Sequence, residues 1–355
     1  MSKPLQTIPS RYYTDPEYYR IEKGKIFYCT WQFVCHETDI AEPGAYRTIQ
    51  IADESIVVLR DHDGHIRAFY NVCRHRAHRI VEGSGNCSRL VCPYHAWTYN
   101  LDGSLAKARG TEEIAGFHPK SVRLSPVRVE SFCGLVFVNL DDESACLDDL
   151  YPDLREELLN IIPGLSNLIR VHEDCIVHDC NWKVSVENFS ECYHCPVAHK
   201  YVTTNLYSGT EYRISTGKGY VRHYSPGLRD QEANGDLHIW MLWPNFAILT
   251  YPIYRSVSFR LFQSLGPRTT AYTYFMFIDP GLTDAQRKEV VEYGGTVYHS
   301  NNAIEDGNIV RNVQLGLESR SYSQGHLVVT PTPSAESEIG VAHFQNRYLE
   351  EIEKA

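Results

Sequence analysis

The tightest constraint on this chain is a pair of short loops in its first third, each carrying one cysteine and one histidine. Cys73-x-His75 is followed, after sixteen residues, by Cys92-x-x-His95. Two thiolates and two imidazoles arranged this way suit a two-iron, two-sulfur cluster, with one iron on sulfur and the other on nitrogen. Neutral imidazoles in place of thiolates raise the reduction potential, which suits delivery of electrons to a stronger oxidant. A structural zinc finger uses the same residue types, but its spacing has both Cys first and both His later. Gly83, Gly85 and Pro93 supply the turns that paired loops need. Cys87 and His78, in the same stretch, read as loop or packing residues.

A second constellation follows at Glu191-x-x-His194-x-x-x-x-His199. Histidines five apart do not share a helical face, so they converge only if the helix stops between them. Pro196 is the expected stop. Two imidazoles plus one carboxylate, with open positions, is the ligand set of non-haem iron(II) sites that activate oxygen. The carboxylate must come from elsewhere in the chain. Cys192 and Cys195 form a C-x-x-C around His194, but a thioredoxin-like pair follows a strand and opens a helix, so these two read as packing residues.

Together the motifs resemble the oxygenase component of the Rieske non-haem iron oxygenases, and the resemblance covers nearly the whole chain. It implies an α+β fold, with an antiparallel β Rieske domain and a helix-grip catalytic domain of the ring-hydroxylase type. It implies that Cys73, His75, Cys92 and His95 hold the cluster. By the same resemblance His194, His199 and Asp306, in the segment EDGNIVRNVQLGLESR, hold a mononuclear iron(II), with Glu305 as the neighbouring competitor. Members of this family form rings, most often trimers, in which an acid links the iron site to a cluster histidine of the next subunit. Glu191 matches that acid, between His194 and His95 of the partner subunit.

Within the family, Glu at position 191 and the stretches SRSYSQG (319–325) and GVAHFQN (340–346) resemble the branch that oxidises quaternary ammonium compounds of the carnitine or betaine type. The implied reaction is an O2-dependent monooxygenation that cleaves a C–N bond; the alternative is an aromatic-ring hydroxylating or O-demethylating oxygenase. The chain has no G-x-G-x-x-G fingerprint and no plant-type four-Cys motif, so electrons are expected from a separate NAD(P)H-dependent flavin or iron–sulfur reductase. A quaternary ammonium donates no hydrogen bonds and is held by aromatic faces. Trp240, Trp243, Phe246, Tyr251 and Tyr254 are the candidates for such a cage. A carboxylate on the substrate would add an arginine, and Arg213, Arg222, Arg255 and Arg260 are all available.

At 355 residues the chain is long enough for about two domains. The expected organisation is an N-terminal arm (1–40) packing on the catalytic domain, a Rieske domain (41–150) and a catalytic domain (151–355). A net charge of -10 argues against nucleic acid or an anionic membrane as partner. No apolar run approaches the roughly 20 residues of a membrane span. Residues 1–20 lack a signal-peptide core, which sets the expectation of a cytoplasmic protein whose eleven cysteines form no disulfide framework, with metal binding expected of those at regular spacing beside histidine. Strands are expected over 46–51, 55–59, 66–71, 127–130 and 135–140, and repeatedly within 212–278. Helices are expected over 147–162, 183–192, 283–300, 301–319 and 339–352.

Overall fold

The computed structural model describes residues 5–200, 211–227, 235–294 except 252 and 255, and 300–354 except 333, leaving aside the side chains of 300–303. Two compact units divide the chain, one of Phe27–Asp149 and one joining Met1–Ile26 to Leu150–Ala355.

The first unit carries β1 (Gln32–His36), β2 (Ala45–Ile51), β3 (Glu54–Arg60), β4 (Ile66–Tyr70), β5 (Ser84–Asn86), β6 (Leu90–Val91), β7 (Thr98–Tyr99), β8 (Leu105–Lys107), β9 (Pro126–Phe132) and β10 (Leu135–Asn139). Seven of these form an antiparallel sheet ordered β1-β10-β9-β4-β3-β2-β5, and β6-β7-β8 form a smaller one. The β-branched run Ile56, Val57 and Val58 makes β3 a strand fully buried on both faces. The N-terminal arm, expected to reach residue 40, is shorter: β1 pairs with β10 (Phe33↔Phe137, His36↔Leu135), and the arm ends at Ile26. The five-residue run QFVCH is buried throughout and shows no alternation, which is why it did not read as a strand.

In the second unit, α1 (Arg11–Thr14) and α2 (Pro16–Glu22) belong to the arm. The expected helix over 147–162 is two pieces, α3 (Leu147–Leu150) and α4 (Leu154–Ile161), because Pro152 interrupts the ladder. α5 (Trp182–Phe189) and α6 (Cys195–Ala198) follow β11 (Ile169–His178). Then come β12 (Arg213–Gly217), β13 (Tyr220–Ser225), β14 (Leu237–Leu242), β15 (Phe246–Thr250), β16 (Val257–Gly266) and β17 (Thr269–Ile278). α7 (Asp284–Val291), α8 (Ser300–Leu317) and α9 (Ile339–Glu353) complete the chain. The strands form one antiparallel sheet ordered β11-β17-β16-β15-β14-β13-β12.

Strand register assigns the two faces of this sheet. Glu157 of α4 reaches Arg222 and Trp240 on one face. The opposite face meets α5 and α9, through Phe189 against Phe262 and Gly340 against Val221. A Cβ at position 340 would fall 2.0 Å from the Ser190 carbonyl oxygen, so glycine lets α9 close on the end of α5. The arm is locked on by buried polar groups: Glu22 accepts from Lys183 Nζ at 2.5 Å, Trp182 Nε1 at 2.8 Å and the Tyr348 hydroxyl at 2.8 Å.

Candidate metal centres

The two Cys/His loops of the β unit are built alike. Cys73 N–H donates to the His78 carbonyl and Ala77 N–H to the Cys73 carbonyl; Cys92 N–H donates to the Trp97 carbonyl and Ala96 N–H to the Cys92 carbonyl. Ala77 and Ala96 both take positive φ, 58° and 57°, which tightens each loop at the same point. Cys73 and Cys92 are each 2% exposed, while His75 and His95 lie toward the surface with their Nδ1 atoms 3.2 Å apart. Two nitrogens on one metal at about 2.1 Å and a tetrahedral angle sit about 3.4 Å apart, so this pair fits a single ion. Tyr99 donates or accepts at the Cys73 sulfur (3.2 Å), and the Trp97 ring stacks on His75 at 4.9 Å.

A lone zinc would need all four donors around one point. Among the described residues, the groups of three or more such atoms within 4.8 Å of each other are His194–His199–Asp306 and Asp61–Asp63–His65. The Cys/His set is therefore more spread than one tetrahedral ion allows. A two-iron cluster, with thiolates inward and imidazoles outward, fits it.

The second centre is assembled by the end of α5. Asn181 caps that helix by accepting from Lys183 N–H, and the helix stops at Phe189, earlier than expected. Glu191 then accepts from the backbone N–H of His194 (3.3 Å) and of Tyr193, and from His194 Nδ1. Pro196 does not end a helix. It stands in the first turn of α6, where the missing N–H costs nothing, and His199 follows as that helix's C-cap. Cys192 and Cys195 are not packing residues but a disulfide that clasps the turn carrying His194. The missing strand-to-helix context excludes a thioredoxin-like role but not a bond, and a 5.0 Å Cα separation brings the two cysteines within bonding reach.

Asp306 enters from α8. His194 Nε2 and His199 Nε2 lie 3.1 Å apart, with Asp306 Oδ1 at 3.5 and 3.0 Å from them. Asp306 Oδ1 is buried and has no aligned hydrogen-bond donor, so three lone pairs converge on a common point. Burial pushes the Asp306 carboxyl up, and the two imidazoles outweigh it, holding it at about 2. Burial lowers His194, but Asp306 and Glu191 raise it to about 10. A divalent ion entering here displaces imidazole protons and meets a ready carboxylate. Glu305 does not compete for the ion; it accepts from the far nitrogen, His199 Nδ1, at 2.8 Å.

The expected aromatic cage is not gathered at this centre. Trp240 and Phe246 point to the sheet face away from α5, Trp240 donating to Glu157 and Phe246 packing on Phe259. Trp243 packs between Trp182 and Phe344, and Tyr251 and Tyr254 border a cavity with Asp236 and His238. On the face that meets α5, Phe189 packs on Phe262, which meets Tyr272, which in turn stacks on His178. The alternation in SFRLFQ and YTYFMF was the signal that separates the two faces. Arg255 lies outside the described residues.

Comparison with known proteins bears on both centres. Residues 30–118 match the Rieske [2Fe-2S] domain, and residues 165–354 match the ring hydroxylating alpha subunit catalytic domain. The chain is 34% identical over 349 residues to the carnitine monooxygenase oxygenase subunit of Escherichia coli strain K12, covering 96% of this chain and 92% of that one. It is 32% identical over 345 residues to the chloroplastic choline monooxygenase of Arabidopsis thaliana, covering 92% and 80%. The fold superposes with a TM-score of 0.89 on the quaternary ammonium Rieske monooxygenase CntA in complex with its substrate L-carnitine, at 31% identity over 99% of this chain and 96% of that one.

Proposed function

The chain belongs to the Rieske oxygenases with a ring-hydroxylating alpha-subunit catalytic domain, and from that premise we propose that it is the oxygenase component of a monooxygenase cleaving a C–N bond of a quaternary ammonium compound. Cys73, His75, Cys92 and His95 hold the two-iron cluster, and His194, His199 and Asp306 hold the mononuclear iron(II). When bound, the cluster supplies single electrons and the iron(II) supplies reductive activation of dioxygen. The observation that carries this reading is the convergence of His194 Nε2, His199 Nε2 and Asp306 Oδ1 within 4.8 Å.

The chain's own residues set the protonation states. Glu191 fixes the Nδ1–H tautomer of His194 and Glu305 that of His199, which leaves each Nε2 lone pair for the metal. Glu191 also serves as the link to His95 of the partner subunit in a homotrimer. Overall, substrate, dioxygen, two electrons and two protons give a carbinolamine and water. The C–N bond then breaks with its electron pair going to nitrogen, and the hydroxyl proton leaves, yielding an aldehyde and a less substituted amine. The electrons come from NAD(P)H through a separate reductase, in a cytoplasmic setting. Among the described residues no helix is long and apolar enough to cross a membrane.

The test is oxygen consumption with a surrogate reductase over a panel of quaternary amines and aromatic acids. Quaternary amines should drive uptake matched one to one by aldehyde and amine. Uptake driven by aromatic acids alone would overturn the proposal.

A further inference from the structure

The segment from Ser190 to His199 carries three groups on which the mononuclear centre depends: Glu191, His194 and His199. Its upstream end is fixed, because Gly340 of α9 closes on the Ser190 carbonyl oxygen. Its downstream end is α6, with His199 as C-cap and the His199 N–H donating to the Cys195 carbonyl at 2.8 Å. Cys195 opens that helix, and its own N–H donates to the Cys192 carbonyl at 3.1 Å. The Cys192–Cys195 bond closes the same turn covalently. One cross-link therefore bears on both imidazole ligands. His194 stands inside the loop it closes, and His199 hangs from the carbonyl of its second cysteine. Asp306 comes from α8 and does not depend on it.

Such a bond does little for the stability of the whole fold. Its cysteines are three apart in sequence, so closing the loop removes little entropy from the unfolded chain. What it constrains is local, the path of the backbone between Glu191 and α6. In a reducing compartment a disulfide is characteristically catalytic or redox-sensing rather than a staple. Cys192 and Cys195 are buried, but Tyr193 between them is 48% exposed and Val197 in the next turn is 81% exposed. The bond thus lies beneath an exposed turn, beside the iron ligands.

Resting on the function proposed above, we infer that Cys192 and Cys195 are positioning residues for the mononuclear iron, and that their redox state sets its affinity. The disulfide holds the turn in the form that presents His194 Nε2 and His199 Nε2 to one point. Reduction by a dithiol transfers two electrons and two protons. It breaks the S–S bond and leaves two cysteine thiols, while the dithiol becomes a cyclic disulfide. The turn then keeps its hydrogen bonds but loses its covalent closure. The imidazoles no longer arrive preorganised, and iron(II) binds more weakly. A two-electron oxidant that accepts the two thiol hydrogens restores the bond.

The experiment is iron(II) titration against a colorimetric chelator, on protein that retains the cluster and has been stripped of its mononuclear iron. Wild type is treated with dithiothreitol or with diamide and desalted anaerobically. Alkylation and peptide mass mapping then read the state of the turn. The dithiothreitol form should bind iron about 10-fold more weakly than the diamide form, and diamide added afterwards should restore the affinity. Cys192→Ser should match the dithiothreitol form after either treatment. The cluster absorption should be the same in both forms, and the urea midpoint of the iron-stripped protein should change little. Equal iron affinities in the two forms would overturn the inference and leave the proposed function standing, whether or not the urea midpoint moved. So would a turn that maps identically after dithiothreitol and after diamide. Iron bound at this centre by neither form removes the functional reading and this inference with it. If Cys192→Ser fails to fold, the wild-type comparison decides alone.

Discussion

His199 presents Nε2 to Asp306, 3.0 Å from Oδ1, and turns its other nitrogen away from it, toward Glu305. The two adjacent acids on α8 therefore have different jobs. Asp306 shares the point where both imidazoles meet, and Glu305 orients one of them from behind. Asp306→Asn should abolish iron binding at this centre and leave the cluster absorption unchanged. Glu305→Gln should weaken iron affinity about 10- to 100-fold without removing the site. Iron titration against a colorimetric chelator measures both.

Glu191 holds the backbone and ring of His194 at once. Glu191→Ala should retain both metals at saturating iron, yet lose steady-state turnover, because the link from the cluster is cut. Glu191→Asp should restore part of it. Stopped-flow reoxidation of the pre-reduced cluster, with substrate and oxygen present, separates this from a folding defect. Wild-type reoxidation rates in Glu191→Ala would count against the link.

The buried pair Glu22–Lys183 makes a stability prediction. Both side chains are fully buried, so removing one charge strands the other. Glu22→Gln should destabilise the second unit by about 3–5 kcal/mol, and adding Lys183→Met should recover much of that loss. Urea denaturation followed by tryptophan fluorescence reads the difference.

His223 gives a pH dependence. Burial lowers its pKa from 6.5 to about 4, and Nδ1 is paired with the Tyr212 hydroxyl. The unfolded chain thus binds a proton that the folded chain refuses between those values, and stability falls as pH drops from 6.5 through 4. The full loss is about 3 kcal/mol. His223→Gln does not titrate, so its stability relative to wild type should improve by up to that amount between pH 7 and pH 4. A constant difference across this range would contradict the assignment.

The metal motifs were legible in the sequence because ligand chemistry is local. Cys73-x-His75, Cys92-x-x-His95, His194 and His199 each announce themselves by residue type and spacing. Strands β2, β3 and β4 were legible for a similar reason, since their β-branched and aromatic runs are bounded by turn residues close in sequence. β11 was not. Its charged sequence IRVHEDCIVH reads as a loop until pairing along β17 supplies its hydrogen bonds. The direction of each aromatic side chain was also hidden, because register with neighbouring strands decides the face. Trp240 and Phe262 look equivalent in sequence and point to opposite sides of one sheet. Pro196 misled for a different reason: proline ends one helix and begins another with equal ease, and only the caps distinguish the cases.

Two separate metal sites in one chain require a fixed metal count. Iron, acid-labile sulfide and zinc should be measured per chain in anaerobically purified wild type and in Cys92→Ala. Wild type should hold about three irons and two sulfides, and the variant about one iron with no sulfide. Stoichiometric zinc in wild type, or loss of all iron from Cys92→Ala with the chain still folded, would contradict it.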